Sequence, residues 1–172
     1  MQLNIKSIKR EGNVEFDQTE RLTRITEEVV DVKDIDPARI TGTATWADPI
    51  VLVEGTIDTN VHYVCSRCLT EFERPLSTRL SRAYAVDAGQ AEEDIPLVEG
   101  ELLDLTPDIE ESVFLSLDER PLCQADCQGL CAECGCNRNH ETCSCDTRKI
   151  DPRLAALKDL LSDDETEYDG ER

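Results

Sequence analysis

An α+β fold, mostly antiparallel β in its N-terminal part, is what this chain predicts, and three observations carry the prediction. Runs rich in β-branched residues, separated by short polar breaks, fill the first half at 39–46, 50–57 and 61–64. That is the pattern of an antiparallel meander, expected to curl or to become barrel-like. Two short helices should accompany it, near 107–118 and 152–161. Between them lies a Cys-rich loop of zinc-binding type, residues 121–145, which holds seven of the nine cysteines.

Each element has its own warrant. Residues 2–8 alternate and read as a strand, as do 14–17. Residues 18–26 are ambiguous, and 27–32 (EEVVDV) suit a short strand. Pro37 and Asp48-Pro49 punctuate the runs around them. Gly55 inside a strand pattern signals a bulge or a close backbone approach. Trp46 is expected to pack on the sheet, and His62 to be a packed or surface histidine. Leu76, Leu80 and Tyr84 share one parity, as on a strand with a buried side. Residues 88–94 read as a loop. Thr106-Pro107 marks a helix start, with a hydroxyl cap and Pro in the first turn. Asp108, Glu110 and Glu111 suit the positive end of its dipole, and Ile109, Val113, Phe114 and Leu117 form its apolar stripe. Asp151-Pro152 with Leu154, Leu157 and Leu161 repeats that signature. Residues 162–172 are too polar to fold.

Charge narrows the function. The net charge is −20, and its distribution is uneven. Residues 83–119 carry twelve acids and neither Lys nor Arg, whereas 1–82 carry fourteen acids and eleven bases. Non-specific wrapping of nucleic acid is disfavoured, because phosphate contacts need cations. The belt reads either as a solvated face or as a surface for a basic partner through Glu92, Glu93, Asp94, Glu99 and Glu101. Arg67, Arg74, Arg79 and Arg82 form the one basic region, where RNA contact competes with an ordinary charged sheet face. No stretch approaches transmembrane length, so a soluble, cytoplasmic protein is expected.

The cysteines point to metal. Cys131-Ala-Glu-Cys134-Gly135 is a knuckle: two thiolates three positions apart can share one ion, and the glycine allows the turn. A disulfide framework fits less well, since the count is odd and the first residues lack an apolar run of export-signal length. A redox role for Cys65-Ser66-Arg67-Cys68 lacks the βαβ context such motifs have. His140 lies within the cluster as a possible substitute ligand.

In combination, Cys65-Ser66-Arg67-Cys68-Leu69 after a β-rich half, PLCQADCQGLCAECGCNRN after a helix, Cys143-Ser144-Cys145, and a closing DPRLAALK resemble the large ribosomal RNA subunit accumulation protein family, the YceD family, over roughly residues 1–161. The resemblance implies a non-enzymatic role in accumulation of large-subunit ribosomal RNA. It also implies that Cys136 is a spectator, because the family commonly has Cys-Gly-x-Asn where this chain has Cys134-Gly135-Cys136-Asn137.

Tetrahedral zinc needs four ligands, and Cys131, Cys134, Cys143 and Cys145 form the shortest closed set. Cys123 and Cys127 can replace one pair of that set, or join Cys65 and Cys68 in a second site. Three segments are expected: 1–120, β-rich with the acidic belt and one helix; 121–161, the Cys-rich segment and a short helix; and 162–172, a disordered acidic tail. The expected partner is a ribosomal protein or pre-ribosomal component, with ribosomal RNA itself a further candidate, and neither a membrane nor a small-molecule substrate. The competing function is a thiol-redox or metal-dependent enzyme.

Overall fold

A computed structural model of the chain describes residues 1–146. The predicted helix at 152–161 and the tail at 162–172 lie outside the described residues. Two compact units divide the chain, Met1–Cys127 and one that begins at Gln128.

The first unit is α+β. Its elements are β1 (Gln2–Asn4), α1 (Ile5–Glu11), β2 (Asn13–Glu20), α2 (Thr23–Glu28), β3 (Val32–Ile35), β4 (Ala38–Ala47), β5 (Ile50–Val64), β6 (Glu71–Ala85), β7 (Leu102–Asp104) and α3 (Thr106–Ser116). The main sheet is antiparallel and built on β5. β6 pairs with β5 from Ile50↔Ala85 to Val64↔Glu71. On the other side of β5 lie β4 and then β3, and β2 lies outside β4. The sheet is open, since β2, β3 and β6 each pair with one strand only, so the expected curl does not reach a barrel. Charged residues and Pro75 along β6 are what an unpaired edge needs to resist aggregation.

Period-two burial along β5 decides where the chemistry sits. Val51, Val53, Ile57, Val61 and Tyr63 all point inward and are buried. Each large apolar side chain so placed contributes about 1.5–3 kcal/mol. The same parity carries Cys65 to the inside just past the strand end. Ile109 and Val113 of α3 complete this core. At Gly55 the close approach expected from sequence is present. Its cross-strand partner is Gly42, and a Cβ on Gly42 would lie 2.2 Å from the Glu54 carbonyl oxygen and 2.8 Å from Phe16 Cζ.

Several local expectations are corrected. Residues 2–8 are not one strand: Asn4 Oδ1 accepts from the backbone N–H of Lys6 (2.9 Å) and Ser7 (3.3 Å), and so starts α1. Ile5 and Ile8 then bury one helical face, a pattern that alternation mimics over so short a run. Residues 27–32 are not a strand either, because Glu27 and Glu28 end α2 and pairing begins only at Val32. Runs 50–57 and 61–64 are a single strand. Thr59 Oγ1 donates to the Asp36 carbonyl at 2.8 Å, and Asp36 N–H to the Asn60 carbonyl at 3.0 Å, which carries the ladder through the polar break. Thr106 does not cap α3; Asp104 Oδ1 instead accepts from its backbone N–H at 2.9 Å and its hydroxyl at 2.7 Å. Phe114 does not join the buried stripe but stands 46% exposed.

The acidic belt is an excursion between β6 and β7. Ala85 anchors it through paired bonds with Pro96 (2.9 Å) and Val98 (2.8 Å), and β7 returns to pair with β1. Glu93 and Asp94 sit in the tight turn bounded by the Glu92–Ile95 bridge. The second unit is held by turns. Cys131 N–H donates to the Cys136 carbonyl (2.9 Å), Arg138 N–H to Gly129 (3.0 Å), and Gln128 N–H to Asn139 Oδ1 (2.8 Å). Among the described residues, no helix is long and apolar enough to cross a membrane.

Candidate metal centres

The first cysteine group forms where β5 turns into β6. Cys65 and Cys68 lie on that turn, and Cys123 and Cys127 come from the segment after α3. All four sulfurs lie within 4.8 Å of one another. Polar contacts fix the incoming segment. Ser66 N–H donates to the Pro121 carbonyl at 2.9 Å, Arg67 Nη1 to the Cys127 carbonyl at 2.9 Å, and Arg74 Nη2 to the Leu122 carbonyl at 3.0 Å. Arg74 also pairs with Asp118. Cys65, Cys68 and Cys127 are buried.

The second group is Cys131, Cys134, Cys143 and Cys145, again within 4.8 Å. Its knuckle repeats the first. In both turns the first cysteine's sulfur accepts backbone N–H groups from two and three positions ahead: Arg67 and Cys68 for Cys65, Glu133 and Cys134 for Cys131. The second cysteine accepts from two positions ahead, Thr70 for Cys68 and Cys136 for Cys134. The N–H of the following residue closes the turn onto the first cysteine's carbonyl, Leu69 to Cys65 at 3.0 Å and Gly135 to Cys131 at 2.9 Å. That residue is left-handed in both, with φ of 58° at Leu69 and 74° at Gly135. Glycine takes such a φ freely, whereas leucine does so at a cost of about 1–2 kcal/mol.

The electrostatics are those of crowded thiols. Burial pushes the Cys65 thiol up, but N–H groups of Cys123, Arg67 and Cys68 outweigh it and bring it to about 6. Burial also opposes ionisation of Cys68, where the Thr70 hydroxyl and N–H prevail and lower it. Cys123 is pushed up to about 12 by burial and by the neighbouring Cys68, Cys127 and Cys65. In the second group the N–H groups of Cys134 and Glu133 bring Cys131 to about 6, and that of Cys136 lowers Cys134. Cys145 is held up to about 12, chiefly by Cys134, and Cys136 likewise by Cys134 and Cys143. Like charges this close cannot all ionise unaided, and a cation among the sulfurs lifts that restriction.

A tetrahedral ion bound by sulfur at about 2.3 Å has sulfurs about 3.8 Å apart. Cys65 and Cys127 are separated by 3.8 Å, and Cys68 and Cys123 by 3.5 Å. The donor set therefore fits a tetrahedral thiophilic metal. Either group can hold a metal ion, and Cys136 belongs to neither.

The remaining sequence-predicted residues fall elsewhere. Glu92, Glu93, Asp94, Glu99 and Glu101 are exposed on the belt, with Glu101 paired to Lys6. His62 is half-exposed on the sheet, 3.2 Å from Asp36. The arginines of the β5–β6 region are mostly engaged inward. Arg82 pairs with Asp108 (3.0 Å) and Glu111, and Tyr84 donates to Asp108 at 2.5 Å. Sequence reading missed Ser66, Thr70 and Leu69 as parts of the first site. The signal was available in the matching Cys-x-x-Cys-Leu and Cys-x-x-Cys-Gly turns.

Residues 53–161, a span that contains all nine cysteines, match the family model of the large ribosomal RNA subunit accumulation protein YceD. The chain is 29% identical to the uncharacterized protein YlbN of Bacillus subtilis (strain 168), over 88% of this chain and 90% of that one. It is 36% identical to an uncharacterized protein of Mycobacterium leprae (strain TN), over 71% of this chain and 59% of the other. An uncharacterized protein of Mycobacterium bovis (strain ATCC BAA-935 / AF2122/97) is 32% identical over 71% and 61%. The chain thus spans about three fifths of the length of these mycobacterial relatives. No solved structure matches it.

Proposed function

The chain belongs to the YceD family of large ribosomal RNA subunit accumulation proteins, and we propose from that membership that it is a non-enzymatic ribosome biogenesis factor. In this reading it is needed for accumulation of large-subunit ribosomal RNA and acts in the cytoplasm by binding a ribosomal protein or pre-ribosomal component. Zinc is the ion of both cysteine groups, in a structural role. The observation that carries the structural role is the donor count. Four convergent thiolates fill a tetrahedral shell and leave no position for substrate or water, unlike catalytic zinc with three protein ligands. A four-sulfur tetrahedron also suits iron, so the metal must be identified directly.

Two experiments test this. Depletion of the protein is expected to lower large-subunit ribosomal RNA more than small-subunit RNA; equal loss of both, or of neither, overturns the role. Elemental analysis of protein purified reduced and without chelator is expected to give two zinc ions per chain. The competing thiol-redox reading predicts metal-free protein in which Cys65 and Cys131 are alkylated fast near neutral pH.

A further inference from the structure

Helix α3 turns two large apolar side chains away from the core. Phe114 is 46% exposed and Leu115 75%, while Ile109 and Val113 on the opposite face are fully buried. Ile25 of α2 and Pro107 at the start of α3 lie beside them, and together these residues line a groove of about 420 Å³. Its charged border is mainly acidic. Glu110 has no ion-pair partner among the described residues, Glu111 and Asp108 share the single guanidinium of Arg82, and Arg24 on the border is already tied to Glu28 at 2.8 Å. With Glu28 included, four carboxylates face two arginines around the groove. Its α3 side, moreover, belongs to the stretch 83–119 that has twelve acids and no base.

An apolar groove with a border of one sign recognises an amphipathic segment of the other sign. Apolar anchors supply affinity, and complementary charge supplies orientation and association rate. We propose that the groove between α2 and α3 binds a basic amphipathic protein segment, with its apolar residues on Phe114 and Leu115 and its Lys or Arg side chains on Glu110 and Glu111. Phosphate chains are repelled by the same border, so RNA is not the ligand here. The inference names the kind of partner for the biogenesis role and rests on that reading for its biological setting. The binding chemistry is testable apart from it.

The probe is a fluorescein-labelled peptide of lysines and leucines, with the leucines at i, i+3, i+4 and i+7. The control peptide has the same composition, scrambled so that no apolar face forms. Anisotropy titration of the full chain is expected to show the amphipathic peptide binding at least ten-fold more tightly. Phe114→Ala with Leu115→Ala should bring it down to the level of the control. Phe114 is only about half exposed, so the double variant should melt somewhat lower while staying folded, and Leu115→Arg, at a side chain 75% exposed, serves as a second variant that leaves the midpoint nearly unchanged and also opposes the peptide charge. Glu110→Lys should weaken binding further and flatten its salt dependence. Equal binding of the two peptides overturns the proposal, as does an unchanged double variant. Competition at the groove by a ribosomal RNA oligonucleotide, or a dimer dissolved by the double variant, also overturns it by giving the groove to another occupant. Failure of the biogenesis role is separate: ribosomal RNA would stay normal on depletion whatever the peptide does.

Discussion

Serine at both Cys123 and Cys127 should cost the first unit far more than serine at both Cys143 and Cys145 costs the molecule. A metal at the first group joins residues far apart in sequence, since Cys68 and Cys123 are separated by 55 positions. A metal at the second group closes the nine positions from Cys134 to Cys143. Treated as cross-links on the unfolded chain, these closures are worth about 4 and about 2.5 kcal/mol, from the logarithmic dependence of loop entropy on length. For a unit of this size, about 4 kcal/mol corresponds to a fall in melting temperature of about 15 °C. Calorimetry gives the midpoint, and elemental analysis on the same samples confirms that each double variant has lost one metal. The first variant should also lose the contacts of residues 121–127 with the β5–β6 turn, read as faster hydrogen exchange at Ser66. If each variant loses one metal yet the first melts no lower than the second, the staple argument is wrong.

Three further predictions follow from the same geometry. Leu69→Gly relieves a left-handed leucine at about 1–2 kcal/mol and loses about 0.5–1 kcal/mol to unfolded-chain entropy, so thermal unfolding should show an unchanged or slightly higher midpoint, whereas Leu69→Val should lower it. Cys136→Ser should leave the metal content at its wild-type value, because Cys136 lies outside both four-sulfur groups. Asp104→Ala should destabilise α3 by about 1 kcal/mol at neutral pH through loss of the bonds to Thr106. The Thr106 backbone N–H holds the Asp104 carboxyl below its ordinary 3.8, so its contribution is complete above that pH and is lost as pH falls through the lower folded value. The gap between variant and wild type in denaturant titrations should therefore close below about pH 4.

Much of the β architecture was legible because burial along β5 follows a period of two, with Val51, Val53, Ile57, Val61 and Tyr63 inward, and β-branched runs mark its partner β4. What misled were short elements. Over 2–8 the spacing of Leu3, Ile5 and Ile8 serves a strand start and a helix face alike, and only the Asn4 cap decides between them. Phe114 reads as core on the helical wheel, but α3 turns it to the solvent side beside α2. Spacing offered Cys131, Cys134, Cys143 and Cys145 as the shortest closed set, and left Cys123 and Cys127 either to replace one of its pairs or to join Cys65 and Cys68. Which pairs converge could not be read from it, because Cys65 and Cys123 meet only through the inward parity of β5 and the return of the chain after α3. Pairs such as Cys131 and Cys134 are set by a local turn and need no tertiary information.

The charge of the first unit bears on what it can meet. In sequence, RNA contact competes with an ordinary charged sheet face for Arg67, Arg74, Arg79 and Arg82; in the structure Arg67 is bound to the Cys127 carbonyl, Arg74 to Asp118 and the Leu122 carbonyl, and Arg82 to Asp108 and Glu111, all in the C-terminal part of the same unit. A guanidinium serving phosphate would have to leave these partners, exposing carboxylates to the same polyanion. The three arginines therefore act as ties that hold α3 and residues 118–127 against the β5–β6 hairpin. The charges left outward on the belt are acids, with Glu92, Glu93 and Asp94 at the tip of a tight turn. Such a surface attracts cations and basic chains over the screening length of physiological salt, about 8 Å, and repels nucleic acid over the same range. In the proposed biogenesis role, the expected partner is therefore a basic protein that itself binds the RNA, and not the RNA directly.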